Sequence, residues 1–197
     1  MKKTLRMLLL VLVLCVGLVM PAAAETTDGF ASDHICMVDM AGVLNEQEVT
    51  ELEMMIDEIR TRQKFDIAIL IVSEEDIPSV EEYADDIYDE ADMGYGQTRD
   101  GVLLVVDLKS SECYMSTKGY GITVFTDAGI QYVGQQMRPE LADGDYAGAF
   151  RTFATLCDDF ITQARNGKPY DVDTLPKEPL SLIWIPVAIV IGFIIAF

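Results

Sequence analysis

Two hydrophobic periods alternate along the chain, and an unbroken apolar run lies near each end. After Asn45, residues Val49, Leu52, Met55, Ile56 and Ile59 recur three and four positions apart, which predicts a helix with one buried face. Asn45 followed by Glu48 has the form of a capping box and sets the helix start. Phe65 to Val72 (FDIAILIV) is nearly all apolar and rich in isoleucine, the signature of a strand covered on both faces. The helical period returns at Val80, Tyr83, Ala84, Ile87, Tyr88 and Ala91, behind a Ser79/Glu82 cap and ahead of Gly94. Val102 to Leu108 predicts a second buried strand. Lys109-Ser110-Ser111 then turns the chain into an alternating hairpin partner, Glu112 to Thr117, expected near the sheet edge. A third helix is predicted from Thr126 or Asp127 through Ile130, Val133 and Met137, interrupted at Pro139. A fourth starts at Asp145 and buries Tyr146, Ala149, Phe150, Phe153, Cys157, Phe160 and Ile161. His34 to Asp39 reads as a short strand or an extended lead-in. The order of helices and buried strands predicts an α/β layer structure.

The two apolar runs have a different meaning. Lys2, Lys3 and Arg6 precede the run Met7 to Met20, and Pro21-Ala22-Ala23-Ala24 follows it, the plan of a secretory signal peptide cleaved after Ala24. Cys15 follows Leu14, where a lipobox requires a small residue, so it reads as one more apolar residue of the signal. Leu180 to Phe197 is uncharged, with Trp184 near its outer edge and Pro186 inside it. Eighteen such residues span about 27 Å as a helix, which predicts a transmembrane segment. With no Lys or Arg behind it, the run reads as part of a longer protein. The expected organisation is therefore signal peptide 1–24, linker 25–33, extracytoplasmic domain 34–167, tether 168–179 and membrane helix 180–197.

Charge narrows the partners. Losing Lys2, Lys3 and Arg6 with the signal takes the formal charge from −19 to −22, which argues against nucleic acid and anionic lipid and in favour of cations. Cys36, Cys113 and Cys157 remain after processing. No C-x-x-C is present, so they are expected as buried thiols rather than a zinc or redox site.

The chemistry-bearing residues are few. A single histidine, His34, excludes a Ser-His-Asp triad centred in the domain and a multi-histidine metal site. Gly119-Tyr120-Gly121 lacks the third glycine of a dinucleotide fingerprint. Thr117-Lys118-Gly119 has the wrong order for a phosphate loop, and no pair of membrane helices flanks the segment as in a channel filter. Carboxylates, by contrast, fall where loops meet elements: Asp39, Asp100, Asp127, Asp143 and Asp145. Such acids suit a hard divalent cation such as calcium, held together with backbone carbonyls and water. Asp127 and Asp145 are equally well placed to cap helices.

Several of these stretches together resemble one family. Asp39-Met-Ala-Gly-Val-Leu-Asn45 resembles a D-x-A-G-V-L opening, and Arg99-Asp100-Gly-Val-Leu-Leu104 resembles a K/R-D-N-G-V-L-L strand entry. Gly119-Tyr-Gly121 with Thr126-Asp127 resembles V-G-Y-G…L-T-D, and Gly144-Asp145-Tyr146 resembles the G-D-Y that opens a last helix. These are motifs of the TPM domain family, matched in order from about Val38 to Ala164. The resemblance implies a three-layer α/β/α sandwich with a small mixed sheet. It also implies an acidic loop site, calcium-binding in some members and linked to acid phosphatase activity in plant ones. Carried onto this chain, the site acids are Asp39, Asp100, Asp127 and Asp145, with Gly119, Tyr120 and Gly121 as the supporting loop. Two departures stand out: the asparagine of D-N-G is missing at Asp100-Gly101, and Ile122 follows Gly121 with no acid close behind.

The expected function is a single-pass, membrane-anchored extracytoplasmic module that binds a divalent cation and assists an unidentified membrane or envelope protein. The alternative is a metal-assisted phosphatase in which Asp100 and Asp127 hold the cation and Lys118 meets the phosphate.

Overall fold

The structure, a computed structural model, describes residues 36–176 apart from 74–76 and 78. The signal peptide, linker, His34 and membrane helix expected from the sequence lie outside the described residues. Among the described residues, no helix is long and apolar enough to cross a membrane.

Four strands form one mixed sheet in the order β1 (Met37–Asp39), β2 (Asp66–Val72), β3 (Gly101–Asp107) and β4 (Glu112–Lys118). The first three are parallel, and β4 closes the edge as an antiparallel hairpin partner of β3. Among the described residues the sheet is accompanied by five helices: α1 (Glu46–Gln63), α2 (Val80–Glu90), α3 (Gly121–Val124), α4 (Asp127–Asp143) and α5 (Tyr146–Arg165). The lead-in to α1 is thus a strand. Its short edge pairing with β2 places Asp39 beside Ile71.

Every residue of β2 and β3 is buried, and the strand period divides them between two cores. Ile67, Ile69, Ile71, Val102, Leu104 and Val106 face a large core shared with α1, α4 and α5. Ala68, Leu70, Val72, Leu103 and Val105 face a smaller core filled by Val80, Ala84 and Tyr88 of α2. This is the α/β/α layering expected from the unbroken apolar strands. The sheet order adds a feature that sequence patterning does not contain. The crossovers β1-α1-β2 and β2-α2-β3 step the same way across the sheet, yet their helices cover opposite faces. Two such crossovers have opposite hands, so one departs from the usual right-handed rule.

The helix starts follow their caps. The Asn45 side chain accepts the amides of Gln47 and Glu48, and the Asn45 amide in turn donates to the Glu48 carboxylate. Ser79 caps α2 through the Glu82 amide. At α4 the choice between two candidates falls to Thr126, whose Oγ1 accepts the Gly129 amide at 3.1 Å. Pro139 does not interrupt α4, which continues to Asp143. A proline deletes one backbone bond, but here Leu141 packs on the core. Gly144 then closes the end in the left-handed conformation, with the Asp145 amide bonded to the Glu140 carbonyl at 2.9 Å.

Acidic side chains fasten α2 onto β4. Glu81, Asp85 and Asp89 stand four residues apart on the helix and take Tyr114, Ser116 and Lys118, two residues apart on the strand. Four helical residues advance about 6 Å and two strand residues about 6.7 Å, so the two ladders stay in step. On the opposite face, α1 and α5 are joined by a second polar group. Asp158 receives both guanidinium nitrogens of Arg62 at 2.9 and 3.0 Å and the Gln63 amide group at 2.8 Å. Gln63 also reaches Thr162, and Arg165 donates to the Gln63 carbonyl. Beneath this group Phe160 stacks on Phe125 at 5.7 Å and meets the edge of Tyr170 at 4.8 Å.

This packing sets the response of two side chains. Phe160 is fully buried, so Phe160→Ala is expected to lower the unfolding free energy by about 3–5 kcal/mol in a urea titration. Partial burial raises the Asp158 pKa, but its bonds from Arg62 and Gln63 outweigh this and hold it below the ordinary value of 3.8. A depressed carboxylate stabilises the fold fully above that value and loses its contribution as the pH falls through the folded pKa. The stability gap between wild type and Asp158→Asn, measured by urea titration, should therefore shrink from pH 7 toward pH 3.

Candidate functional site

Three of the four motif aspartates accept backbone amides at turns or helix starts, and the fourth, Asp127, sits in the first turn of a helix. Asp39 ends β1 and accepts the Gly42 and Leu44 amides, both at 2.8 Å, shaping the turn into α1. Asp145 caps α5 through the Gly148 amide at 2.8 Å. Asp127 occupies the exposed first turn of α4, where a negative charge complements the helix N-terminus.

Asp100 has the most connected position. Its amide and carbonyl pair with Tyr95 across a short bridge, and its carbonyl also receives the Asp66 amide at the entry of β2. Its Oδ1 then accepts the Tyr120 amide at 2.7 Å, joining the start of β3 to the chain leaving β4. Gly119 and Gly121 make that approach possible. Gly119 has φ +58, and a Cβ there would lie 2.3 Å from Asp100 Oδ1; one on Gly121 would lie 2.3 Å from the Gly101 carbonyl oxygen. Tyr120 itself is half-buried against the main core, with the Arg165 guanidinium 5.9 Å from its ring centre.

Around this elbow the cations are already engaged. Lys118 is paired with Asp89 and lies over the Tyr88 ring, while Arg99 bonds Asp89 and the Met93 carbonyl, both at 2.9 Å. Arg60 meets Asp66 at 2.5 Å and shares the Tyr95 ring with Lys64. Burial and the neighbouring Asp66 carboxylate push the Tyr88 phenol up, so it remains a donor, bonded to the Arg99 carbonyl at 3.1 Å.

These positions separate the acids. Asp39 pairs with Ile71, whereas Asp100 precedes Gly101, the partner of Asp66. Along β2 the two ends are five residues apart, or about 17 Å. Asp145 begins the helix whose last residue, Arg165, reaches Tyr120, which puts it about 30 Å of helix away from the elbow. Asp127 starts just beyond α3, at the elbow's end of the sheet. The structure therefore brings Asp100 and Asp127 to one end and leaves Asp39 and Asp145 away from them. Among the described residues, no group of three Asp, Glu, His or Cys side chains stands ready to hold a metal.

A cleft that the sequence pattern did not announce opens elsewhere. It encloses about 830 Å³ between the β3–β4 hairpin and α4, lined by Leu104, Val106, Cys113, Met115, Met137 and Arg138. Asp107 borders it at the far end of β3 from Asp100; burial raises its pKa, but the Lys109 and Ser110 amides prevail and hold the carboxyl below its usual range. The exposed Cys113 corrects the expectation of three buried thiols, because β4 is an edge strand whose first residues lie open to the cleft. Cys36 and Cys157 are buried, and burial pushes the Cys36 thiol up to about 11. The polar residues Gln131, Gln135 and Arg138, placed between the apolar positions of α4, were the available sign that this helix is not fully covered.

Comparison with known proteins decides the family. The TPM domain model matches residues 37–160, more than half of the chain. The chain belongs to the TPM domain family. No curated protein matches it. Solved structures share the fold at low identity. The N-terminal domain of a P. gingivalis protein has TM-score 0.56 and 18% identity, covering 69% of this chain and 87% of that one. The N-terminal domain of a Corynebacterium glutamicum protein has TM-score 0.54 and 13% identity, covering 79% and 96%. The BA42 protein of the psychrophilic bacterium Bizionia argentinensis has TM-score 0.50 and 15% identity, covering 69% and 91%. All three are NMR structures. All four motif aspartates, Asp39, Asp100, Asp127 and Asp145, fall inside the TPM match, as does the Gly119–Gly121 elbow.

The elbow predicts opposite outcomes for two glycines. Gly119→Ala forces a side chain into both a left-handed backbone and the Asp100 carboxylate, and is expected to lower stability by about 1–3 kcal/mol. Gly134 lies inside α4, and a Cβ added there would meet nothing within 4 Å; its replacement by Ala should instead gain about 0.5–1 kcal/mol. Urea titration of the two variants checks both signs.

Proposed function

We propose that this TPM domain is a membrane-anchored, non-catalytic extracytoplasmic module that assists a membrane or envelope protein, and that its Asp100 end takes up a divalent cation, calcium first among the candidates. The carrying observation is the Asp100 elbow: a carboxylate with one oxygen on the Tyr120 amide, in a loop of turned backbone, at the same end as Asp127. A carboxylate that accepts one amide keeps further lone pairs for a cation. Calcium tolerates irregular shells made of a few carboxylates, loop carbonyls and water. The formal charge of −19 favours cation capture throughout the loops. The signal-like residues 1–24 and the apolar run 180–197 support export and a single-pass anchor.

The metal-assisted acid phosphatase is the weaker reading. Lys118, its intended phosphate contact, is occupied by Asp89 and Tyr88, and an acidic domain whose cations at this end are already paired repels a phosphoryl group.

Calcium titration of a fragment spanning residues 25–179, followed by its melting temperature, tests the cation. Ligand that binds only the folded state raises stability by mass action, about 2.7 kcal/mol at a hundred times Kd. The melting temperature should rise with calcium in wild type and Asp39→Asn, and rise less in Asp100→Asn. No rise at several millimolar calcium contradicts the proposal.

A further inference from the structure

We propose that the end of the domain formed by α3 and the residues after α5 lies against the lipid interface, with Ile122 and Val172 directed into a zwitterionic bilayer surface. The inference rests on the reading of residues 180–197 as a membrane segment and goes beyond it by assigning which face of the domain meets the bilayer.

The first observation is the length of free chain. The sequence predicts a tether over 168–179, but the described part is tied to the domain. The Tyr170 ring packs on Phe160 at 4.8 Å, its hydroxyl donates to Asp159 at 2.9 Å, and its carbonyl accepts Thr126 Oγ1 at 3.0 Å. Asp171 then accepts the Thr174 and Leu175 amides at 2.7 and 3.0 Å, and Leu175 packs against the main core. From Pro176, only Lys177, Glu178 and Pro179 precede Leu180. Four extended steps reach at most about 14 Å. The polar layer on each side of a bilayer is about 5–8 Å thick, so a domain held this closely has its tethered end at the lipid surface.

The second observation is what that end displays. Four large hydrophobic side chains are exposed among the described residues, and two belong here: Ile122 at 66% and Val172 at 77%. Thr126, bonded to Tyr170, ties the α3 segment that carries Ile122 to the strap that carries Val172. Tyr120, Tyr170 and Arg165 stand beside them, side chains with an apolar body and a polar tip that suit a membrane interface. Single exposed hydrophobics are ordinary on a soluble surface. Their position at the one end that a three-residue link would hold to the bilayer is what gives them a role. The acids Asp171 and Asp173 on the strap disfavour anionic headgroups, so contact through apolar insertion into zwitterionic lipid fits better than electrostatic attraction. Met40, a third exposed hydrophobic, follows Asp39 at the opposite end of the sheet. In this orientation the Asp100 elbow faces the membrane, and the cleft bordered by Asp107 faces away.

The test uses the full chain in phosphatidylcholine vesicles with brominated acyl chains, which quench nearby tryptophan. Trp184 is the sole tryptophan, so Ile122→Trp, Val172→Trp and Met40→Trp are each made together with Trp184→Phe. Bromination should remove much of the emission of the first two and leave that of the third. Equal emission from all three in vesicles that retain the chain through alkaline carbonate overturns the orientation while leaving the anchor intact. Release of the chain by carbonate, with Trp184 of the wild type unquenched, means that the anchor reading itself has failed and the orientation with it. All three substituted positions are exposed, and an unchanged melting temperature confirms that each variant is folded.

Discussion

The hydrogen bond between the Tyr120 amide and the Asp100 carboxylate fixes where the chain goes when it leaves the sheet. It joins the first turn of β3 to the exit of β4, two points already paired through Gly101 and Lys118. With the backbone pressed against the Gly101 carbonyl, Gly121 can only start the short helix α3. That helix delivers Phe125 to Phe160 and sets Thr126 as the cap of α4. The direction of α4, and with it the cleft beside β4, depends on this elbow. A side chain at Gly119 or Gly121 would separate the same surfaces, so the glycine motif is a packing requirement before it is anything chemical.

The acidity of the domain is distributed by the same logic. Asp39 and Asp145 satisfy amides at turns and helix starts, where the backbone has donors without partners. Glu81, Asp85 and Asp89 form a ladder that holds α2 on the edge strand, matching helix pitch to strand pitch. Asp158 clamps α1 to α5. These carboxylates serve the fold first: the ladder joins α2 to the sheet, and Asp158 joins two helices that cover the same face. What the geometry fixes for Asp39, Asp100 and Asp145 is the backbone role.

Much of the fold was legible because burial on both faces leaves an unmistakable mark. FDIAILIV and VLLVVDL read as sandwiched strands, and the Asn45, Ser79 and Asp145 caps located three helices. Pro139 misled because helix ends are decided by what packs around them, and Leu141 and Gly144 carry α4 past it. The four site acids were a list of loop positions. Sequence order says nothing about which end of a sheet a loop occupies, and the register of β1 and β3 on β2 sends Asp39 and Asp100 to opposite ends. The cleft was invisible for a related reason: it is the space left beside elements that meet along only part of their length. The α2–β4 ladder was legible in principle, since acids at 81, 85 and 89 face alternate polar residues at 114, 116 and 118. Pairing them needed the knowledge that α2 and β4 run side by side.

The most direct measurement of the elbow is hydrogen exchange at the Tyr120 amide, compared with the Val105 amide at the centre of β3. If Asp100 pins the loop, Tyr120 exchanges slowly in the wild type, with an opening free energy near that of Val105. Asp100→Ala, which removes the accepting oxygen that Asn would retain, should speed Tyr120 selectively and leave Val105 protected. A Tyr120 amide that exchanges at the rate of an open loop in the wild type would contradict the view that this bond organises the end of the domain.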